Sequence, residues 1–473
     1  MKLYIGILLI AVTLIGCKKD NNSSQDNYAY IGGQIINPKN NFVVITKSET
    51  TLDTIILDGN NRFLFKINDL EQGLYTFRHG DEFQMVLLEV NDSIIFRLNT
   101  LDFDESLVYT GKGDKKNNYF INEFLQNEKK EKEIFKLCQL NPEDYEKEIK
   151  LLKAQKLEYL DRFKTKHETT SLFDKVAQAN INYNYYFNKE IYPFVHYGKN
   201  KAEILESLPD DFYAYRQNVN YNDDFLKDYF NYQSFLKSNF NNLALKEHLG
   251  HAKNGHFNGK SVCYTLDKLK IIDSLIDNVS IKNDLLYHYT INFLTKNKSE
   301  ECSDAVLKSF LAKSDSKKNN GQIKHYASSI YRLKKGNKLP EISVIDCYNK
   351  EQNINAIINS TTVLCFWSHS IYGHFKDTHK KLKELQVKYP EVTFITINID
   401  DYDLEMITKT LKRNHLSFDN KYQFKDNKKA KESLAIYPMT KAIIIDKHKK
   451  IVDSNTNIFY SDFEQQLLGL LNK

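Results

Sequence analysis

Residues 363–379 read Val-Leu-Cys-Phe-Trp-Ser-His-Ser-Ile-Tyr-Gly-His-Phe-Lys-Asp-Thr-His. Three histidines, His369, His374 and His379, recur every five residues, with Ser370 and Tyr372 among them. Imidazoles can hold a metal or act as a base beside a hydroxyl. Five helical residues carry a side chain well off its starting face, so His374 and His379 are not expected to share an ion. A helix N-terminus would push His374 toward its neutral form. Neutral imidazole could act as a base, yet only Ser370 and Tyr372 could serve it as nucleophiles, and no catalytic residue is assigned. A second group is Glu247-His248-Leu249-Gly250-His251, followed by His256. Gly250, Asn254, Gly255, Asn258 and Gly259 mark that stretch as a solvated loop. With no cysteine or second acid nearby in the chain, neither a metal nor a cofactor is expected.

The six cysteines are Cys17, Cys138, Cys263, Cys302, Cys347 and Cys365. None forms a Cys-x-x-Cys pair, and their spacing matches neither a zinc pattern nor a dense disulfide framework. Any pairing among the last five stays open. Cys365 lies inside an apolar run, where burial raises a thiol pKa and makes it inert.

The elements that must position these groups are a strand (362–367), a polar turn and a helix with Phe375, Leu382 and Leu385 on its apolar side. A helix that begins after a strand offers free N–H groups and a positive dipole end. The run Leu-Cys-Phe-Trp-Ser resembles the strand that leads into the active site of TlpA/ResA-type thioredoxin-fold proteins. There the next residues are Cys-x-x-Cys. Counted from Trp367, those two positions fall on Ile371 and His374; a turn slipped by one residue gives Ser370 and Gly373. Either way, no cysteine occurs after Cys365. The order β-α-β-α-β-β-α over residues 336–473 also resembles that fold, with apolar strands at 392–399 and 441–446. Tyr437-Pro438 sits where the family carries its cis-proline loop. The resemblance implies a groove with Tyr437 and Pro438 on one wall, residues 370–374 on the other, and Trp367 beside them. It implies redox chemistry only where thiols are present.

The chain has 473 residues, a formal charge of +5, 41% hydrophobic and 27% charged residues, so it can build real cores. The small charge excess shows no basic stripe with interleaved aromatics, and no nucleic-acid partner is expected. Gly 17 and Pro 7 are too few for a wholly β chain full of tight turns. Met1-Lys2, an apolar run over 3–16 and Leu14-Ile15-Gly16-Cys17 resemble a bacterial lipobox, which implies lipidation at Cys17 after signal cleavage. Residues 18–27 then read as a polar tether. A lipid-anchored protein of the bacterial cell envelope is expected, periplasm-facing or surface-exposed, with the membrane as a partner through Cys17.

Residues 28–113 alternate as short strands around turn signals such as Asp58-Gly59-Asn60-Asn61. They predict a β-sandwich-like module and resemble the N-terminal β domain of TlpA-like lipoproteins. Residues 114–335 change to helical period, with Asn141-Pro142 as a helix start. Further helices are expected over 223–245, 264–275, 282–295, 303–311 and 322–333. The dense aromatics at 183–197 read as packing, with a glycan surface as the other reading. The fold class is therefore multidomain α+β: a sandwich-like module, a helical middle and a C-terminal thioredoxin-like α/β domain. The favoured function is non-catalytic binding of a peptide or envelope protein. The alternative is a thiol–disulfide oxidoreductase that uses non-standard cysteines.

Overall fold

The computed structural model describes residues 27–48, 50–80, 82–197, 200–251, 257–297, 299–369, 371–401 and 404–472, apart from the Tyr372 side chain. Cys17, Ser370 and His256 lie outside the described residues. These residues divide into two compact units. One holds those through Phe77 with Gln84–Ile121; the other holds Arg78–Phe83 and the chain from Asn122 on.

In the first unit, turn residues cut the chain into short strands: β1 Tyr28–Ile36, β2 Phe42–Lys47, β3 Thr50–Ile56, β4 Arg62–Asn68, β5 Gly73–His79, β6 Glu82–Leu88, β7 Ser93–Asn99 and β8 Val108–Lys112. They form two four-stranded sheets of order β4-β1-β7-β8 and β3-β2-β5-β6. Phe77 of β5 stacks on Phe96 of β7 at 4.5 Å, so the sheets meet face to face. Within the first sheet, glycine at position 33 lets β1 lie against β7, because a Cβ there would stand 2.6 Å from the Phe96 carbonyl oxygen. Strand β1 was not anticipated as a separate element. Its Gly-Gly pair interrupts the alternation that marks the other strands.

The second unit begins with helices. They are α1 Asp114–Leu137 (which starts in the first unit), α2 Pro142–Lys166, α3 Ser171–Val195, α4 Lys201–Glu206, α5 Phe230–His251, α6 Val262–Leu275, α7 Val279–Leu294, α8 Glu300–Lys313 and α9 Lys317–Arg332. Asn141 caps α2 by accepting from the Asp144 N–H, with Pro142 in the first turn. The helix expected from Asp223 starts seven residues later. The Asp223 side chain accepts from the Phe225 and Leu226 N–H groups instead, which stabilises a turn. Helix α3 continues past Pro193 for two residues.

The rest of this unit contains β9 Ser343–Asp346, β10 Glu351–Asn353, β11 Thr362–Trp367, α10 Tyr372–Lys388, β12 Thr393–Asn398, α11 Leu404–Arg413, β13 Lys421–Phe424, α12 Asn427–Ser433, β14 Ala442–Ile445, β15 Ile451–Thr456 and α13 Phe463–Leu471. One seven-stranded sheet joins them in the order β10-β9-β13-β12-β11-β14-β15. Strands β11, β12 and β13 are parallel, and β14 runs antiparallel to β11. Every residue of β11 is buried, as its unbroken apolar run requires of a strand covered on both faces. Val363 and Cys365 face the core of α10 and α13, through Leu382, Leu385, Phe463 and Leu467. Leu364 and Phe366 face the opposite core, where Leu434, just beyond α12, joins Tyr326 and Ile330 of α9.

Candidate functional site

Strand pairing brings the two predicted walls to one end of the sheet. Cys365, near the end of β11, is opposite Ala442, at the start of β14. The turn after β11 and the loop before β14 therefore leave the same edge. The loop contains a cis Tyr437–Pro438 peptide, as the resemblance implies. It is held from below by Lys441, a buried residue whose Nζ donates to the Leu434 and Ala435 carbonyls at 2.9 and 3.0 Å. Burial draws that amine down to about 7.

Helix α10 begins on Ile371 as its N-cap, with no side-chain cap, and the Phe375 N–H donates to the Ile371 carbonyl at 3.0 Å. Ile371 is 44% exposed and Tyr437 47%. Gly373 is exposed, with nothing within 4 Å of where a Cβ would lie. Phe459 and Tyr460, in the loop after β15, are exposed as well, and the Phe459 ring centroid lies 6.5 Å from that of His374.

The turn ahead of α10 is organised by a residue the sequence did not disclose. Asp400 accepts from the Ser368 hydroxyl and the His369 N–H, both at 2.6 Å, and from Asn398 Nδ2 at 3.0 Å. The available signal was Asn398-Ile399-Asp400 at the end of an apolar strand, where a carboxylate can reach the next strand's turn.

Trp367 does not line a groove. It is fully buried against Phe375 at 4.8 Å and clusters with Ile407 and Leu411. The last side chain of β11 is enclosed by helices α10 and α11, so it supports the turn from inside.

The three histidines are not brought together as ligands. His369 Nδ1 lies 3.0 Å from Thr410 Oγ1, while His374 Nε2 contacts Thr378 Oγ1 at 3.2 Å. His379 is buried, with Nδ1 2.8 Å from the Phe375 carbonyl, which makes it the donor. His374 is pushed toward the neutral form as anticipated, but burial is the leading cause and Asp377 opposes it.

His379 is drawn down to about 4, chiefly by burial. Its folded pKa lies below its unfolded value, so it contributes full stability above about 6.5 and loses it as pH falls toward 4. The loss is about 3 kcal/mol over that window. His379→Gln is expected to flatten the pH dependence of urea unfolding between pH 6.5 and 4 by that order. His288 supplies a similar contribution that the variant leaves in place.

Among the described residues all five cysteines are free. Burial pushes Cys347 and Cys138 up to about 11 and Cys365 up to about 12. Cys347 is half-buried in the Trp367 cluster, with Sγ 3.8 Å from the Lys421 carbonyl.

The aromatic stretch of α3 is mainly packing. Tyr183 and Tyr192 are buried, and Tyr186 stacks on Tyr215 at 4.2 Å. A separate, mostly apolar cleft of about 300 Å³ lies among the helices, bordered by Ile149, Lys153, Tyr185, Ile191 and Phe230. It is remote in sequence from the β11 turn and shares no residue with it.

The histidine group at 247–256 also differs from expectation. His248 is buried rather than solvated, and the cysteine and acid judged missing come from the next helix: His248, His251, Cys263 and Asp267 converge.

No family model matches the chain, and no curated protein matches it either. Solved structures do resemble part of it. A protein assigned as the thiol:disulfide interchange protein DsbE from Chlorobium tepidum is 21% identical, covering 29% of this chain and 99% of its own, with a TM-score of 0.26. The thioredoxin domain of a thiol-disulfide oxidoreductase from Bacteroides vulgatus is 20% identical over 28% of this chain and 96% of its own, TM-score 0.24. A thiol:disulfide interchange protein from a Bacteroides species is 19% identical over 30% and 93%, TM-score 0.25. Each of these matches covers less than a third of this chain.

Proposed function

We propose that this chain is a lipid-anchored protein of the bacterial cell envelope whose thioredoxin-like domain binds a peptide or partner protein and does not exchange disulfides. The observation that carries this reading is the start of α10. Ile371 and His374 stand where the resemblance would place thiols, and exposed Ile371, Tyr437 and Phe459 surround the place where chemistry is missing. Apolar and aromatic side chains left exposed at one end of a sheet favour contact with a partner.

The mode of contact is through side chains. In the family named above, the backbone beside the cis-proline pairs with an extended peptide. Here the Tyr437 N–H donates to the Ala435 carbonyl at 2.9 Å, and the Tyr437 carbonyl accepts from the Tyr326 hydroxyl at 3.2 Å. A pairing strand would have to displace the first of these. Anchoring at the membrane rests on the lipobox at Cys17, and the polar residues after it would act as the tether.

A photo-crosslinking residue placed at Ile371 of the full-length protein in cells tests the reading. A discrete adduct is expected that falls at least about tenfold with Tyr437→Asp, the size of one lost anchor contact. The same adducts obtained from a probe at exposed Leu52 would reject it. The oxidoreductase reading is disfavoured by the raised thiols, and insulin reduction that survives Cys347→Ser and Cys365→Ser would exclude those two.

A further inference from the structure

The last turn of α5 carries His248 and His251, three residues apart. The first turns of α6 carry Cys263 and Asp267, four apart. Each spacing places its pair on one helix face, and the two faces meet. His251 Nε2 lies 3.2 and 3.1 Å from the Asp267 carboxylate oxygens, and Cys263 Sγ lies 3.6 Å from His251 Nδ1. His248 Nδ1 is 3.4 Å from Asp267 Oδ2. One donor atom from each residue falls within 4.8 Å of all the others.

We propose that His248, His251, Cys263 and Asp267 form a four-coordinate zinc site that fastens the end of α5 to the start of α6. Bonds of about 2.0–2.3 Å in a tetrahedron set neighbouring donors about 3.3–3.8 Å apart, and with one ring nitrogen taken from each histidine the four donors here already lie within 4.8 Å of one another. The donor set selects the metal. Two imidazoles and a thiolate suit zinc, while magnesium and calcium require oxygen ligands. A thiolate and a carboxylate together carry two negative charges, which balance the ion.

An independent observation points the same way. The His248 side chain is buried, and its Nδ1 has no hydrogen-bond partner. The Asp267 oxygen nearest to it is badly aligned for a hydrogen bond, whereas a central cation would satisfy both atoms. Phe257 and Tyr264 wall off His248, with ring centroids 6.5 and 5.6 Å from its own. Four protein donors leave no open position, so the role is structural rather than catalytic.

The test uses the full-length protein, stripped by chelator and kept reduced, then titrated with zinc or cobalt(II). One equivalent of zinc is expected to bind. The cobalt form should show a thiolate-to-metal charge-transfer band and intense tetrahedral ligand-field bands. Cys263→Ser should abolish the charge-transfer band and weaken zinc by about a hundredfold or more, because the thiolate is the softest donor. His251→Ala should weaken binding as well, and Cys302→Ser, outside the cluster, should change nothing. Circular dichroism checks that each variant is folded. Zinc should also protect Cys263 of the unaltered protein from alkylation, read by mass spectrometry without any variant. A charge-transfer band that persists in Cys263→Ser, or no zinc uptake above a Cys263→Ser/His251→Ala double variant, overturns the proposal.

Discussion

Replacing Ile371 and His374 with cysteine together, in a background with Cys263 and Cys302 changed to serine, is expected to raise the reduction rate of a model disulfide at pH 7 by about a hundredfold over what Cys347 supplies. The gain follows from thiolate supply. The half-buried thiol at Cys347 sits near 11, so only about one molecule in ten thousand carries its thiolate at neutral pH. Cys365, near 12, is ten times scarcer in its reactive form and buried as well. A cysteine at position 371 would occupy the N-cap of α10, where free N–H groups lower a thiol pKa to about 7 in Cys-x-x-Cys motifs. Half of it would then be thiolate. Nucleophilicity falls with pKa at a Brønsted slope of about 0.4–0.5, which removes roughly two of the four decades gained. Ile371→Cys alone should attack but stop at the mixed disulfide, since no resolving thiol follows. The paired variant should complete the exchange. A double variant no faster than the parent protein would mean that the turn after β11 does not support thiol chemistry even with both thiols in place.

Short-range chemistry made much of this region legible in advance. The proline loop before β14 is expected from the family resemblance alone, whereas the continuous apolar run of β11 and the Asn-Pro start of α2 each carry their cause in adjacent residues. Strand β13 does not. Its four residues, Lys421-Tyr422-Gln423-Phe424, are too few to show a period and acquire strand form by pairing with β12 on one side and β9 on the other. The role of Asp400 is not legible locally, because Ser368 and His369, the turn residues it holds, lie more than thirty residues earlier. The resemblance alone sets Trp367 beside the groove; whether its face of β11 meets solvent or a helix depends on α11, much later in the chain. The metal-ligating quartet illustrates the same limit. Its histidines adjoin in sequence, and its thiol and carboxylate arrive only when α6 folds back on α5.

Removing the carboxylate of Glu190 is expected to cost about 3–5 kcal/mol of unfolding free energy, the range for breaking a buried ion pair from one side. Glu190 of α3 is fully buried. Arg216 donates to it through Nε at 2.9 Å and a terminal nitrogen at 2.6 Å. Asn239 and Asn242 of α5 donate at 2.6 and 2.8 Å, and the Tyr215 hydroxyl donates too. One carboxylate thus collects donors from α5 and from the segment before it. Glu190→Ala would leave a mostly buried guanidinium without its counter-charge, stacked over Tyr213 at 3.8 Å with 17% of its side chain exposed. Glu190→Gln keeps the shape and one acceptor oxygen, so about 1.5–3 kcal/mol is expected, the worth of charge-assisted hydrogen bonds. The informative variant removes both charges. Glu190→Leu with Arg216→Leu should cost less than Glu190→Ala alone, because desolvating two ions offsets most of what their attraction returns. Urea unfolding followed by circular dichroism separates the three variants. A Glu190→Ala loss below about 1 kcal/mol would show that water reaches Arg216, since only a solvated charge is lost so lightly.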